Sequence, residues 1–512
     1  MAVEKQEGRV VGLAVTRETD KRTLPANPLW ETREPNEFAD FGAEYATVAR
    51  RPYSTNRSRK KGTISDRDDR CGWNEDVTQN NMVARVEEFC FAAARRTPRT
   101  FSTAALSASS RYTVTSGAAF LVGALVLATG FGVAANNGLK VVNAKDAAYV
   151  GVSSVLSQEA AAPQGARLKT VGQAFAAGDL SVAKVGARVV ITSKAFDFRQ
   201  LPLIPGQWLF VGGDAIGDRF DGITPGYARI GLAGVSADGT SLSFDKTTFA
   251  AADGFANDGA GKTVRLFFGD VVKNEDDPDL IQRFTIQAER FLGRDDDGRQ
   301  SEYLEGCVAN EMTWNSPMAD KVSVDLGYIA MYYGKRPGAL GPKAYANGAT
   351  LAKALAEEAI NTTSNVYRLR LSVIDPNTLN PTPMFARVTD WTLTIANGTT
   401  ANKAQGVLGA FDASSGMFEV DGEFTGYFNN TAAMNAIEQN ADTTFDAIYA
   451  KKNAAIILDV PLIGPGGGEL DVSMDEAIMI PVTTAAAESP FGHTILFTWL
   501  PYVPSVGNAT GG

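Results

Sequence analysis

The stretch EYLEGCVANEMTWNSPMADKVSVDLGYIAMYYG, residues 302–334, carries the clearest fold signal in the chain. It contains two runs rich in apolar, β-branched and aromatic residues, 302–315 and 321–334, separated by the short segment SPMAD. Two such runs joined by a short turn-forming segment predict a β-hairpin. Near the C-terminus, ELDVSMDEAIMIPVTT (469–484) alternates hydrophobic and polar residues, as a half-buried strand does. We therefore predict a protein built mainly from β-sheets.

The turn composition supports the same conclusion. The chain has 512 residues and 50 glycines, many of them in Asn-Gly, Asp-Gly and Gly-Gly pairs. Such pairs mark tight turns, so they favour many short strands over long helices. With 44% hydrophobic and 21% charged residues, the chain has an ordinary globular composition, long enough for two to four domains.

Charge and the scarcity of reactive side chains exclude several classes of function. The net charge of −10 argues against a protein that binds nucleic acid by neutralising phosphates. The only histidine is His493, and the cysteines Cys71, Cys90 and Cys307 lie far apart. These residues form no metal-binding or disulfide pattern, and any histidine-dependent triad would rest on one residue. We predict buried free thiols and no catalytic, cofactor-binding or metal-binding residue.

An apolar stretch at 117–135 (GAAFLVGALVLATGFGVAA) is almost long enough to span a bilayer. It contains four glycines, has no flanking basic asymmetry, and lies between segments that resemble strands. We therefore predict a buried pair of strands and no membrane span. The first residues spread their charges evenly and do not resemble a secretion signal.

Helical periodicity is clearest in NNMVARVEEFCFAAARR, residues 80–96. Its apolar residues recur at helical spacing, which predicts an amphipathic helix with Glu87 and Glu88 directed away from the core. A second short helix is expected in LAKALAEEAI (351–360). Residues 1–40 are expected to form an extended arm with little regular structure.

Internal parallels suggest repetition. Residues 131–154 resemble 220–244, which indicates a repeated β motif within an inserted β-rich unit. Residues 311–329 resemble 391–411, including the Asp-Lys and Asn-Lys pairs at 320–321 and 402–403. Likewise, 71–89 resembles 422–441, each with Asn-Asn before an amphipathic segment. Together these parallels predict two related units in one chain.

Some motifs invite a chemical interpretation. Residues 256–263, ANDGAGKT, satisfy a relaxed phosphate-loop pattern. However, the β-branched and aromatic run VRLFFGDVV follows the motif, where a phosphate loop requires a helix N-terminus. The acidic clusters at 274–279 and 294–299 lack EF-hand spacing; a structural cation remains an alternative to solvated carboxylates. Neither motif predicts an active site.

A charged segment at 50–69 supplies the candidate functional residues. Six basic residues precede three acids: Arg50, Arg51, Arg57, Arg59, Lys60, Lys61, Asp66, Asp68 and Asp69. Such a run is either a solvated loop or a loop that docks on a neighbouring subunit.

Taken in order, these segments resemble the tail tube (major tail) protein family of long-tailed bacteriophages. The resemblance rests on EYATVARRPYSTNRSRKKGTISD with the helix after it, on PGQWLFVGGD, on 258–293 and 302–330, and on the segments starting GVLGAFDASSG and IILDVPLIGPGGG. It implies β-sandwich or barrel tube domains with a few short amphipathic helices. The domains would be 1–106 (arm and start of tube domain 1), 107–283 (inserted outer domain), 284–365 (rest of tube domain 1 and connector) and 366–512 (tube domain 2).

The resemblance also implies a function. Rings of the protein would stack into a hollow tube in the virion tail, assembled in the host cytoplasm, through which DNA passes without specific binding. Two tube units per chain favour a trimeric over a hexameric ring, with Arg50–Asp69 as the ring-stacking loop. A tape-measure protein and the terminator and tip proteins would be partners, and a non-contractile tail is favoured. Two alternatives are a carbohydrate-binding adhesin, with exposed aromatics near Trp208 and Tyr227, and an NTPase that depends on Lys262.

Overall fold

A computed structural model describes residues 5, 8 and 11–509, apart from 52, 54, 56, 57, 59, 93–99, 108, 109, 160–162, 164, 276, 376–380 and 386, and apart from the side chains of 100–107. The described chain is mainly β, as the sequence predicts, with two large sheets, one two-stranded sheet and two short helices.

The first sheet combines strands from both ends of the chain. Its strands are β1 (Gly12–Arg17), β2 (Leu29–Arg33), β3 (Pro35–Glu37), β4 (Gly42–Ala49), β5 (Gly62–Asp76), β19 (Asp270–Lys273), β20 (Thr285–Arg294), β21 (Arg299–Ser316), β22 (Ser323–Ala330), β23 (Tyr332–Arg336), β24 (Thr350–Ala352), β25 (Val366–Val373), β26 (Thr382–Pro383), β27 (Val388–Ala396), β30 (Glu419–Tyr427), β31 (Thr443–Lys451), β32 (Ala454–Gly467), β33 (Met479–Ala486) and β34 (Leu496–Leu500).

The second sheet uses the strands between them. These are β6 (Thr100–Ser107), β7 (Arg111–Val114), β8 (Ala124–Thr129), β9 (Gly138–Lys145), β10 (Tyr149–Val152), β11 (Arg167–Ala174), β12 (Leu180–Val185), β13 (Arg188–Ser193), β14 (Trp208–Val211), β15 (Gly226–Val235), β16 (Ser241–Thr247), β17 (Ala256–Asn257) and β18 (Arg265–Phe267). The small sheet pairs β28 (Thr400–Lys403) with β29 (Ala410–Ser414). The domain limits expected from the sequence, 107–283 for the insertion, stay a prediction.

The first sheet folds into a sandwich with a front layer and a back layer. The front layer has the order β4-β5-β22-β21-β27-β30-β33, and the back layer includes β25-β31-β32-β34-β19. The long strand β32 belongs to both, since its first half pairs with β34 and its last residues pair with β33. Across the layers, Trp391 on β27 meets Phe445 on β31 with ring centroids 5.0 Å apart.

The two helices are short. Helix α1 (Val83–Phe89) follows β5, and α2 (Ala432–Glu438) follows β30, each after the predicted Asn-Asn. The predicted apolar face of α1 is buried, but the expectation for its carboxylates is wrong: Glu87 and Glu88 are also buried. Glu88 pairs with Arg85 at 3.1 Å and with Arg17 at 3.0 Å, which compensates for its loss of hydration.

Other expectations from the sequence need correction. Residues 351–360 form no helix, and most of them are extended or irregular. Within 117–135 there is one strand, β8, flanked by short 3-10 turns, and it pairs with β9 and β11. The described part of 1–40 is not a loose arm: β1 is buried between β2 and β20. Long-range pairing imposes extended structure that local sequence does not reveal.

Candidate assembly surfaces

The phosphate-loop pattern at 256–263 lies in a turn before β18. The predicted strand after the motif is confirmed, so no helix N-terminus faces these glycines. Gly259 and Gly261 have φ values of +61° and +70°, which serve the turn. The Lys262 ammonium pairs with Asp221 at 2.9 Å, and the Thr263 hydroxyl donates to Asp218 at 3.1 Å. The motif's polar side chains therefore close a turn within the second sheet.

Asp295 of the acidic cluster at 294–299 takes part in a turn, and the cysteines lie in the protein interior. Asp295 accepts hydrogen bonds from the backbone N–H groups of Gly298 and Gly338, which hold the turn before β21. These bonds, with Gly338 the largest contributor, lower the pKa of Asp295. In the described residues, no group of three or more histidine, cysteine or carboxylate side chains could hold a metal ion. All three cysteines are buried free thiols, as predicted.

The predicted stacking segment is a β-ribbon instead of a long loop. Strands β4 and β5 pair from Gly42↔Arg70 to Ala49↔Gly62, and the ribbon extends beyond the point where β22 joins β5. Basic side chains that are described and exposed flank its turn: Arg50, Arg51, Lys60 and Lys61. Arg57 and Arg59 lie outside the described residues.

The three predicted acids lie on β5, not in a loop. The Lys403 ammonium forms ion pairs with Asp66 at 2.6 Å and with Asp68 at 2.5 Å. Asp69 pairs with Arg67 at 2.7 Å. The hydrogen bond from Lys403 lowers the pKa of Asp66, and burial raises the pKa of Asp69. Asp66 and Asp68 thus link the ribbon to the β28–β29 hairpin of the same chain, whereas the pair of Asp69 and Arg67 lies within β5.

Lys403 is a residue whose contact the sequence did not predict. The sequence feature that could have identified Lys403 is the Asn-Lys pair at 402–403, which parallels the Asp-Lys pair at 320–321. Both lysines contact acids of β5, since Lys321 pairs with Asp76 at 2.6 Å. The two repeated pairs therefore have related contacts at separate points of one strand.

The outward side of the front layer is a continuous polar surface, which we call the polar face. Cross-strand register aligns its residues in three rows over β5, β22, β21, β27, β30 and β33. The rows are Asn74-Asp325-Thr313-Thr394-Asp421-Ala485, then Asp76-Ser323-Asn315-Thr392-Glu423-Thr483, and Gly72-Gly327-Glu311-Ala396-Glu419. These positions include six carboxylates and no lysine or arginine.

Neutral donors organise this surface. Asp325 accepts from the amides of Asn74 at 2.7 Å and Asn315 at 2.6 Å, and the hydroxyls of Thr313 and Thr394 lie 3.0 Å apart. Residues between these positions point inward, because side chains alternate along a strand. Trp73, Trp314 and Leu393 are examples and belong to the core. The polar face is therefore the solvent side of a well-packed layer.

A buried ionic network joins the second sheet to the back layer. Arg229 on β15 pairs with Asp459 on β32 at 3.1 Å, and Lys246 on β16 lies 3.4 Å from Asp446 on β31. Arg368 on β25 pairs with Asp446 at 2.6 Å. Burial lowers the pKa of Lys246, because the charged ammonium has lost its hydration. Charged side chains of the two sheets therefore compensate one another within this buried contact.

Aromatic side chains complete the same contact. Trp208 and Tyr227 are fully buried against back-layer residues such as Ile448, Ile457 and Leu500. They provide no exposed platform on which a sugar could stack. Trp208 and Tyr227 therefore do not contribute to the exposed aromatic cluster that the adhesin alternative would require near them.

These features define a class of protein: a mainly β protein with a broad polar sheet face and a projecting ribbon among its exposed surfaces. No helix in the described part of the chain is long and apolar enough to cross a membrane.

Comparison with known families agrees with this class. The family model described as phage tail tube protein matches residues 200–486, more than half of the chain. The chain belongs to the phage tail tube protein family, and the resemblance stated from the sequence is confirmed. No curated protein matches the chain significantly. Membership implies a structural protein of the bacteriophage tail that self-assembles into a tube.

Proposed function

We propose that the protein forms rings that stack into a hollow tail tube, and that the polar face lines the channel through which DNA is ejected. The observation that carries this proposal is the charge of that face: its three rows hold six carboxylates and no lysine or arginine, and one of the six, Asp76, is paired with Lys321.

The chemistry of the face suits passage of DNA. Affinity for duplex DNA comes largely from lysine and arginine that neutralise phosphates. A surface of carboxylates, threonine, asparagine and glycine repels the phosphates and offers no aromatic ring for stacking. DNA would therefore pass along this surface without being retained.

We favour a trimeric ring, because the sequence predicts two related units in the chain. Each has a strand, an Asn-Asn pair and a short helix: β5 with α1, and β30 with α2. The two units meet where β21 pairs with β27 in one continuous layer. Three chains would then supply six units, and the second sheet, packed on the back layer, would lie outside the tube.

Family membership supports the remaining parts of the proposal. The tube would be assembled in the host cytoplasm and become part of the virion. A tape-measure protein and the terminator and tip proteins would be its partners at the ends. A non-contractile tail is the type we favour.

Electron microscopy of the purified protein tests the assembly. Stacked rings or hollow tubes are expected, with a trimeric mass for single rings in analytical ultracentrifugation. A strictly monomeric protein at high concentration would contradict the proposal.

The channel assignment needs its own test. Tubes of the double variant Asp421→Lys/Glu423→Lys should bind short duplex DNA at low salt, whereas wild-type tubes should not. A matched control reverses two exposed acids of the second sheet, Asp221→Lys/Asp253→Lys. Equal DNA binding by both variants would place the polar face elsewhere than the channel.

Deletion of 54–66 tests the stacking segment. It removes the ribbon turn and the start of β5, while the pairing of β5 with β22 at 69–76 remains. We expect folded rings that do not stack. Normal polymerisation of the deletion variant would refute the stacking role.

A further inference from the structure

The β4–β5 ribbon is chemically suited to enter a complementary site. It extends from the sandwich, and its exposed apolar side chains include Tyr45, Val48 and Ile64, which are 45%, 61% and 58% exposed. Exposed cations lie at its turn, with Lys60 and Lys61 immediately before β5. A basic turn beside the exposed apolar side chains Val48 and Ile64 is a surface that an acidic groove with apolar walls would bind. The acids of the ribbon, Glu44, Asp66 and Asp68, lie nearer the sandwich.

Such a groove lies at the other end of β5. Its volume is about 550 Å³, and its walls come from the segments 29–34, 75–84 and 352–359 together with Arg167. Five carboxylates line it, against three cations: Glu31, Glu34, Glu75, Asp76 and Glu357, with Arg33, Arg167 and Lys353. Leu29 and Leu355 are 55% and 51% exposed there.

An ion pair and hydrogen bonds hold the walls of the groove, and one of its carboxylates is exposed to a binding partner. Arg33 pairs with Glu75 in its wall, where the guanidinium Nε donates to the carboxylate at 3.1 Å. Glu357 holds the turn at Thr78 and Asn80 through hydrogen bonds of 2.8 and 2.6 Å. Glu34 is exposed. The groove is therefore a preformed acidic surface and not a flexible loop.

The positions of ribbon and groove determine what the occupant can be. Gly62 begins β5 and Asp76 ends it, so roughly 46 Å of strand separates the ribbon turn from the groove. One chain cannot bring these two surfaces together, but two copies in head-to-tail order can. Contacts between different surfaces of identical chains produce open stacks.

We propose that the ribbon of one copy docks in the acidic groove of a second copy in the next ring. The basic turn then lies beside Glu34, and Val48 and Ile64 of the ribbon lie against Leu29 and Leu355. This inference rests on the proposed tube assembly, and it adds the acceptor surface for the stacking segment.

Charge exchange between two variants tests the contact. Variant A carries Lys60→Glu/Lys61→Glu, and variant B carries Glu34→Lys/Glu357→Gln. Each alone should need at least about a tenfold higher protein concentration than wild type to stack at low salt, because like charges then meet across the interface. An equimolar mixture should stack near the wild-type concentration, since each ribbon then meets an oppositely charged groove in the other variant. Sedimentation and electron microscopy measure stacking.

Folding and specificity are controlled separately. Both variants should keep the wild-type circular dichroism spectrum, and Arg188→Glu, an exposed reversal on β13, should stack normally. Should B be misfolded, Glu34→Lys alone replaces it. Normal stacking of A or B alone, or failure of the folded mixture to stack, overturns the groove as acceptor. Failure of the wild-type protein to stack would overturn the tube proposal itself.

Discussion

Lowering the pH from 7.5 to 5 should destabilise the fold through His493. This side chain is 1% exposed, and its Nε2 has no hydrogen-bond partner. The ring packs so closely on Gly206 that a Cβ there would lie 2.6 Å from its Cε1. Burial lowers the pKa of His493 from 6.5 to about 4; nearby Asp459 opposes the shift, and the cations Lys273 and Arg229 add to it.

The sign follows from which state binds the proton first. The folded-state pKa lies below the unfolded one, so acid protonates the unfolded chain before the native protein. The contribution of neutral His493 to the free energy of unfolding is fully present above about pH 6.5, and it decreases as the pH falls to about 4. The loss is roughly 2 kcal/mol at pH 5 and reaches about 3 kcal/mol at lower pH. Since 512 residues unfold with roughly 1.1 kcal/mol/K of entropy, the melting temperature should fall by about 2 °C at pH 5.

Two measurements test this effect. Thermal melts give the melting temperatures of wild type and His493→Gln at pH 7.5 and at pH 5. The decrease in melting temperature between the two pH values should be smaller in the variant than in wild type. Carboxylates titrate in both proteins and so cancel in the comparison. Because the chain has a single histidine, NMR can follow its titration without assignment. An NMR pKa above about 6, or equal pH slopes in the two proteins, would refute the reasoning.

Further predictions concern the ionic contacts and the phosphate-loop pattern. Asp459→Ala leaves buried cations uncompensated at a cost of about 3–5 kcal/mol, so the melting temperature should fall by roughly 3–5 °C. Asp253→Ala, which breaks an exposed pair, should shift it by less than about 1 °C, and equal shifts would contradict the importance of burial. Calorimetry with Mg-ATP should show negligible binding to wild type and to Lys262→Ala; binding that the variant loses would contradict the turn interpretation. Lys403→Met should accelerate amide hydrogen exchange in the first half of β5, and unchanged exchange would show that the ribbon does not need this bridge.

Much of the fold was predictable because its signals are local. The hairpin at 302–334 corresponds to β21, β22 and β23, and the strand after 256–263 is present as β18. The strand, Asn-Asn and helix order was also readable in both 71–89 and 422–441. Turn-forming residue pairs and β-branched runs determine structure within a few residues, so they can be recognised in a single sequence.

Other features depended on distant partners. The charged run at 62–69 resembled a loop, yet it forms a strand because β4 and Lys403 provide its partners. Glu87 and Glu88 seemed suited to solvent, but Arg17, distant in sequence, makes their burial possible. The segment at 12–17, expected to be part of an extended arm, is an internal strand because β2 and β20 pair with it.

The sequence by itself determined the β-rich class, the family resemblance and the lack of a helix after the Gly-Lys-Thr motif, since each depends on neighbouring residues. Only the tertiary structure decided the surfaces. The polar face exists because six strands from distant parts of the chain align their acids in register. Likewise, the basic turn and the acidic groove lie apart because one long strand separates them. The sequence gives the number and sign of the charged residues, and the fold determines which of them lie together on one surface.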